Sequence, residues 1–184
     1  MIPRVRPHSA NVGDVLRYLF GPGDDGEHHE QRLVGVWEAA TVRGLSELQP
    51  PISNGVRSVA RLASLLEQPV LAGNNPPVKP VWHCSLHNHA EDPVLSDHQW
   101  GQIAATFLDG IGLAPVGDPV AVRWIAVRHE VDHVHLVVTL IRQDGRNRWM
   151  RYDYRRCQTT ARGIESQLGL RPGGPAPATG GAGT

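Results

Sequence analysis

The chain has 184 residues, with 18 basic and 18 acidic side chains and a formal net charge of zero. It is long enough for one domain with its own core, and its overall charge gives no argument for nucleic acid. No run approaches the ~18 apolar residues of a membrane span, and the N-terminal MIPRVRPHSA lacks the apolar centre of a signal peptide. Cys84 and Cys157 are too few and too far apart for a disulfide framework, which fits a reducing cytoplasm.

In chain order, Ser9 or Asn11 caps a short helix through VGDVLRYLF that stops at Gly21 with Pro22 just beyond, and Tyr18 sits near its end. Residues 23–30, with Asp24, Asp25, Glu27, His28, His29 and Glu30, read as a polar loop. Gln31 to Leu48 holds Leu33, Val34, Val36 and Trp37 without a clean period, and Pro50 and Pro51 break it. Val56 to Glu67 has helical spacing at Val59, Leu62, Leu65 and Leu66, and Gly73 to Pro80 is a linker. Residues 24–80 as a whole are variable ground, partly loop.

Val81 to His87 alternates and predicts a strand with His83, Ser85 and His87 on one face. That face either borders a site or meets solvent, and solvent is the commoner meaning of such a pattern. Leu95 to Leu113 predicts an amphipathic helix: Ser96 is its N-cap, Gln99 completes a capping box, and Trp100, Ile103, Ala104, Phe107 and Leu108 form the apolar stripe. Gly110 or Gly112 ends it.

The richest segment is RWIAVRHEVDHVHLVVTLIRQDG, residues 123–145, which places three histidines and two carboxylates between two β-branched runs. Strand alternation puts His133 and His135 on one face, roughly 6 to 7 Å apart at the backbone. A three-residue loop at Glu130, Val131 and Asp132 sets His129 opposite His133, with Cβ atoms about 5 Å apart. A two-residue loop at Val131 and Asp132 pairs Glu130 with His133 instead. Either register leaves a metal site, His-His-His or His-His-Glu, and the donors alone do not choose among zinc, manganese, iron and magnesium.

After the hairpin, Arg151 to Leu168 predicts a basic helix. From Arg142 to Arg171 eight arginines stand against Asp144, Asp153 and Glu165, a local surplus of five positive charges and a candidate footprint for a phosphate backbone. From Arg171 on, RPGGPAPATGGAGT is low-complexity and predicts a disordered tail over 171–184. Strand, helix, hairpin and helix in this order predict an α+β domain with a central antiparallel sheet and flanking helices.

The order of Tyr18 in RYLFGPG, then VWHCSLH, LSDHQWGQIAATFLDGIGL, RWIAVRHEVDHVHLVVTLIRQDGR and RYDYRRC resembles the relaxase or mobilization nuclease domain of conjugative elements, particularly actinobacterial versions. The likeness spans most of residues 11–170, within a nuclease domain taken as 1–170, and is most specific at the His-hydrophobic-His core of His133, Val134 and His135. It implies the palm of the His-hydrophobic-His endonucleases in a cytoplasmic bacterial protein that nicks single-stranded DNA at an origin of transfer through a 5′-phosphotyrosine link. By the same resemblance, Tyr18 is the nucleophile and His129, His133 and His135 hold Mg2+ or Mn2+. Glu130 or Asp132 then orients an imidazole. Arg142, Arg146, Arg148, Trp149, Arg151, Tyr154 and Arg155 meet DNA, with accessory mobilization proteins as further partners. Tyr152 and Tyr154 are the competing nucleophiles. Two other functions fit parts of the chain: a DNA-binding remnant without catalysis, and a histidine-triad nucleotide hydrolase, whose third histidine falls at Val137.

Overall fold

In the computed structural model, residues 1–22, 31–37, 44–150 and 153–173 are described. Their elements, in order, are β1 (Ile2–Val5), α1 (Val12–Phe20), β2 (Arg32–Val36), α2 (Leu45–Leu48), β3 (Ile52–Ser53), β4 (Val56–Arg57), α3 (Ala60–Ala72), β5 (Val81–His87), α4 (Asp97–Gly110), β6 (Val122–Arg128), β7 (His133–Arg142) and α5 (Asp153–Leu168). Five strands make one antiparallel sheet in the order β1-β5-β7-β6-β2. The apolar run from Val134 to Ile141 is buried throughout because β7 is central and both its faces are covered.

Two arginines on β6 show which helices cover which face. Arg123 shares a face with Ile125 and Val127, and its guanidinium donates to the Leu65 carbonyl and, at 2.7 Å, to Gln68 Oε1, so α3 lies over that face. Helix α1 packs on α3 and β7. Arg128, on the other face, reaches Asp97 in the first turn of α4, and α5 packs against α4 and β1. Gly101 lets α4 press onto the edge strand β2, since a Cβ there would lie 2.3 Å from the Val34 carbonyl oxygen.

Local chemistry accounts for the helix ends. Asn11, rather than Ser9, caps α1 through Asp14 N–H at 3.1 Å, and Ser96 and Gln99 form the expected capping box on α4. Helix α3 differs from its predicted span. It begins at Ala60 because Asn54 and Gly55, both at positive φ, turn β3 back onto β4. It also continues through Pro69 to Ala72. Pro69 has no N–H for Leu65, and the Arg123 guanidinium supplies the missing donor. Of the predicted tail, residues 171–173 are docked: Arg171 N–H donates to Asp92 Oδ1 and Gly173 N–H to Glu165 Oε1. Residues 174–184, the polar loop at 23–30, Arg151 and Tyr152 lie outside the described residues.

Candidate metal centre

Strands β6 and β7 pair Val127 with His135 and Arg128 with Val134. Continuing that register sets His129 against His133 and leaves Glu130, Val131 and Asp132 as a three-residue loop; the alternative pairing of Glu130 with His133 is not the one formed. The rings converge, with centroids 4.7 Å apart for His129 and His133, 4.6 Å for His129 and His135, and 5.2 Å for His133 and His135. One nitrogen from each lies within 4.8 Å of the others. Two nitrogens on opposite sides of one ion, at about 2.1 Å each, are ~4.2 Å apart, so small ring rotations suffice to seat a cation.

The loop that joins these ligands is held from beneath. Arg128 is buried, and its Nε donates to the Glu130 carbonyl at 3.0 Å, Nη2 to the Val131 carbonyl at 3.1 Å and Nη1 to Asp97 Oδ1 at 2.6 Å. Asp97 also pairs with Arg32 of β2. The Asp132 carbonyl accepts from Asn88 N–H at 2.7 Å. Glu130 therefore enters through its main chain, and its carboxylate belongs to neither cluster of possible metal donors among the described residues.

Strand β5 supplies what surrounds the triad. Cross-strand pairing sets His87 beside His133 and Ser85 beside His135. The expectation that this polar face meets solvent is overturned: His83 and Ser85 are buried and His87 is half-buried, because α1 and α3 cover the sheet on that side. His83 Nε2 lies 2.8 Å from His135 Nδ1, and His133 Nδ1 lies 2.7 Å from Asp132 Oδ1. His87 stacks on His133 at 4.4 Å and hydrogen-bonds Ser85 Oγ at 2.9 Å. His87, Asp132 and His133 form a second donor cluster that shares His133 with the first.

Burial, reinforced by the nearby imidazoles of His83, His129, His133 and His87, holds the pKa of His135 far below the usual histidine value. Burial and then the Arg6 charge lower His83 to about 4. Burial, His133 and Arg4 lower His87 to about 4 against the opposing pull of Asp132. Asp132 is itself raised by burial but lowered more by its hydrogen bond to His133 and the charges of His133 and His87. Neutral imidazoles with free lone pairs are the form a cation requires. The donor set thus fits a divalent ion: three ring nitrogens converge, and two of the rings have their other nitrogen engaged.

Tyr18 is half-buried near the end of α1, packed against the core on the same side of the sheet as the histidines. Three of the predicted DNA-contacting arginines, Arg142, Arg146 and Arg148, are engaged away from the histidines. Arg142 is seven residues beyond His135, about 23 Å along the strand, and pairs with Asp118 and Asp144. Arg146 pairs with Asp144, and Arg148 donates to the Gly112 carbonyl. Trp149, Tyr154 and Arg155 are exposed. The sequence reading missed Arg128 and Asp97, and also β1, whose Arg4, with Arg6 just past its end, comes up beside β5. A cleft of about 650 Å3 opens on the opposite face between β2 and α4 and is not lined by His129, His133 or His135.

A central antiparallel sheet with a His-hydrophobic-His strand at its heart and helices on both faces is the α+β palm of that nuclease class. Residues 61–170 match the family described as Relaxase, MobA/VirD2-like, nuclease domain. That is more than half of the chain, and the chain belongs to this family. Membership carries a general role as a DNA-nicking nuclease domain that binds single-stranded DNA. The match includes the three clustered histidines and excludes Tyr18. No curated protein and no solved structure gives a significant match. Among the described residues, no helix is long and apolar enough to cross a membrane.

Proposed function

We propose that this chain nicks and rejoins one DNA strand at an origin of transfer, with His129, His133 and His135 holding Mg2+ or Mn2+ and Tyr18 as the nucleophile. The observation that carries this reading is the convergence of three imidazoles, with Asp132 on the far nitrogen of His133 and His83 on that of His135. When bound, the ion withdraws charge from the phosphate oxygens and makes phosphorus easier to attack.

The protein's own groups do the rest. Asp132 and His83 fix the rotation and tautomer of the rings they touch. The Tyr18 phenol loses its proton and bonds to phosphorus. The bond from phosphorus to the 3′ oxygen breaks, and that oxygen leaves with a proton as a free hydroxyl. One phosphodiester replaces another, so the reverse step rejoins the strand. An ordinary phenol has a pKa of about 10 and is a weak nucleophile at neutral pH, which is why it needs an activated phosphate. Farther along the strand, Arg142, Arg146, Arg148, Arg151 and Arg155 meet phosphates while Trp149 and Tyr154 stack on bases; accessory mobilization proteins deliver the site.

The test is cleavage of labelled single-stranded DNA with Mn2+ or Mg2+, alongside calorimetric titration of the metal. His133→Ala should lose both metal binding and cleavage while unfolding cooperatively. Cleavage undiminished in that variant would refute the metal assignment.

A further inference from the structure

The sheet register places two arginines beside the histidine cluster. Arg4 pairs with Ser85, which pairs with His135, and Ile2 pairs with His87, which pairs with His133. Directly paired residues share a face, so Arg4 stands in one cross-strand row with Ser85 and His135. Arg6 N–H donates to the His83 carbonyl at 2.9 Å and carries the ladder one step further. Two strand spacings separate the Arg4 and His135 backbones, roughly 10 Å, and the length of an arginine side chain spans much of that.

The two arginine side chains are also unengaged. Both are exposed, and among the described residues neither guanidinium has an ion-pair or hydrogen-bond partner. Arg128, Arg142, Arg146 and Arg148 are each engaged by a carboxylate or carbonyl of the protein. The charge of Arg6 acts on the imidazole of His83, and those of Arg4 and Arg6 act on that of His87. Strand β1 is held rigidly by its ladder to β5 and by the ion pair of the Met1 amino group with buried Glu165. The backbone that carries them is held on the histidine face, and among the described residues no carboxylate pairs with either charge.

We infer that Arg4 and Arg6 form a phosphate-binding strip that holds the DNA backbone next to the position cut, and that they, more than the distant Arg142–Arg156 stretch, set the electrostatic affinity at this site. This inference rests on the single-strand nuclease reading given above. The ligand is the phosphodiester backbone, bound without regard to base sequence. An ammonium serves for a single phosphate almost as well as a guanidinium, since neither residue is held in a fork to a carboxylate.

The experiment measures binding of single-stranded oligonucleotides by fluorescence anisotropy over a salt series, for the full chain and for Arg4→Gln/Arg6→Gln. Each phosphate contact on a single strand contributes about 0.7 to the slope of log affinity against log salt, so the double variant should lose about 1.4. Arg4→Lys/Arg6→Lys should restore the slope, and Lys79→Ala, at the far end of β5, should leave it unchanged. Metal affinity, titrated without DNA, should not fall in the glutamine variant, which separates lost phosphate contacts from a disturbed histidine site. If the unsubstituted protein binds with a clear salt slope and the glutamine variant keeps it, the strip is refuted and the nuclease reading stands. If the unsubstituted protein shows no salt-dependent binding, the nuclease reading fails and the strip with it.

Discussion

His83 Nε2 and His135 Nδ1 meet at 2.8 Å inside the sheet, where both side chains are nearly inaccessible to solvent. One ring must donate and the other accept. When His135 Nδ1–H donates to His83 Nε2, the Nε2 lone pair of His135 is left free to face the cluster. The neighbouring rows do the same for His133 through Asp132.

That arrangement predicts the effect of removing His83. Truncation to alanine leaves His135 free to rotate and to change tautomer, and such outer partners typically contribute 10- to 100-fold in metal affinity. Calorimetric titration of Mn2+ into His83→Ala should show a loss in that range. Affinity equal to that of the unsubstituted protein would mean that the contact has no part in ordering the ligand.

A second prediction concerns the support beneath the ligand loop. Arg128 joins the Glu130 and Val131 carbonyls to Asp97, and its removal strands buried acceptors. Arg128→Ala should cost roughly 2 to 4 kcal/mol in chemical denaturation, somewhat below a fully buried pair because Asp97 is 45% exposed. Arg128→Lys should recover little, since one ammonium cannot reach three acceptors. A loss below ~0.5 kcal/mol for the alanine variant would remove the loop-holding role.

The same network makes stability acid-sensitive. Hydrogen bonds from Arg32, outweighing burial, and then from Arg128 lower the pKa of Asp97 below its ordinary value. A depressed carboxylate pKa stabilises the fold above the unfolded value of about 3.9, and that contribution is lost as pH falls through the folded value. Asp97→Asn should therefore be less stable at neutral pH and flatter than the unsubstituted protein below about pH 4. Parallel curves for the two proteins would contradict this.

Arg123 and Pro69 should be energetically coupled. The Arg123 guanidinium serves the Leu65 carbonyl only because Pro69 cannot. In Pro69→Ala the helix regains its own donor, so Arg123→Ala should cost about 1 kcal/mol less there than in the unsubstituted background. Equal costs in the two backgrounds would show that the carbonyl does not depend on Arg123.

Much of this site could be read from the sequence because it is local. His129, His133 and His135 fall within one hairpin, where alternation and loop length limit the geometry to two registers, and the formed register is the three-residue loop. Helix α4 was equally legible through Ser96, Gln99 and its apolar stripe. What escaped was set by contacts distant in sequence. The edge strands β1 and β2 are short, and β1 carries Pro3, so neither shows a strong period. The burial of His83 and Ser85 depends on α1 and α3 arriving over that face of the sheet, which no local pattern encodes. The pair Asn54 and Gly55 was a readable turn signal, and it explains why α3 starts late.

A metal held by the histidine hairpin should let Tyr18 take a DNA phosphate. Incubating the protein with end-labelled single-stranded DNA and Mn2+, then separating products under denaturing conditions, tests it most directly. A covalent protein–DNA band should form that maps to Tyr18, vanishes in Tyr18→Phe, and persists in Tyr154→Phe. A band that survives Tyr18→Phe and disappears with Tyr154→Phe would contradict it and move the nucleophile to the start of α5.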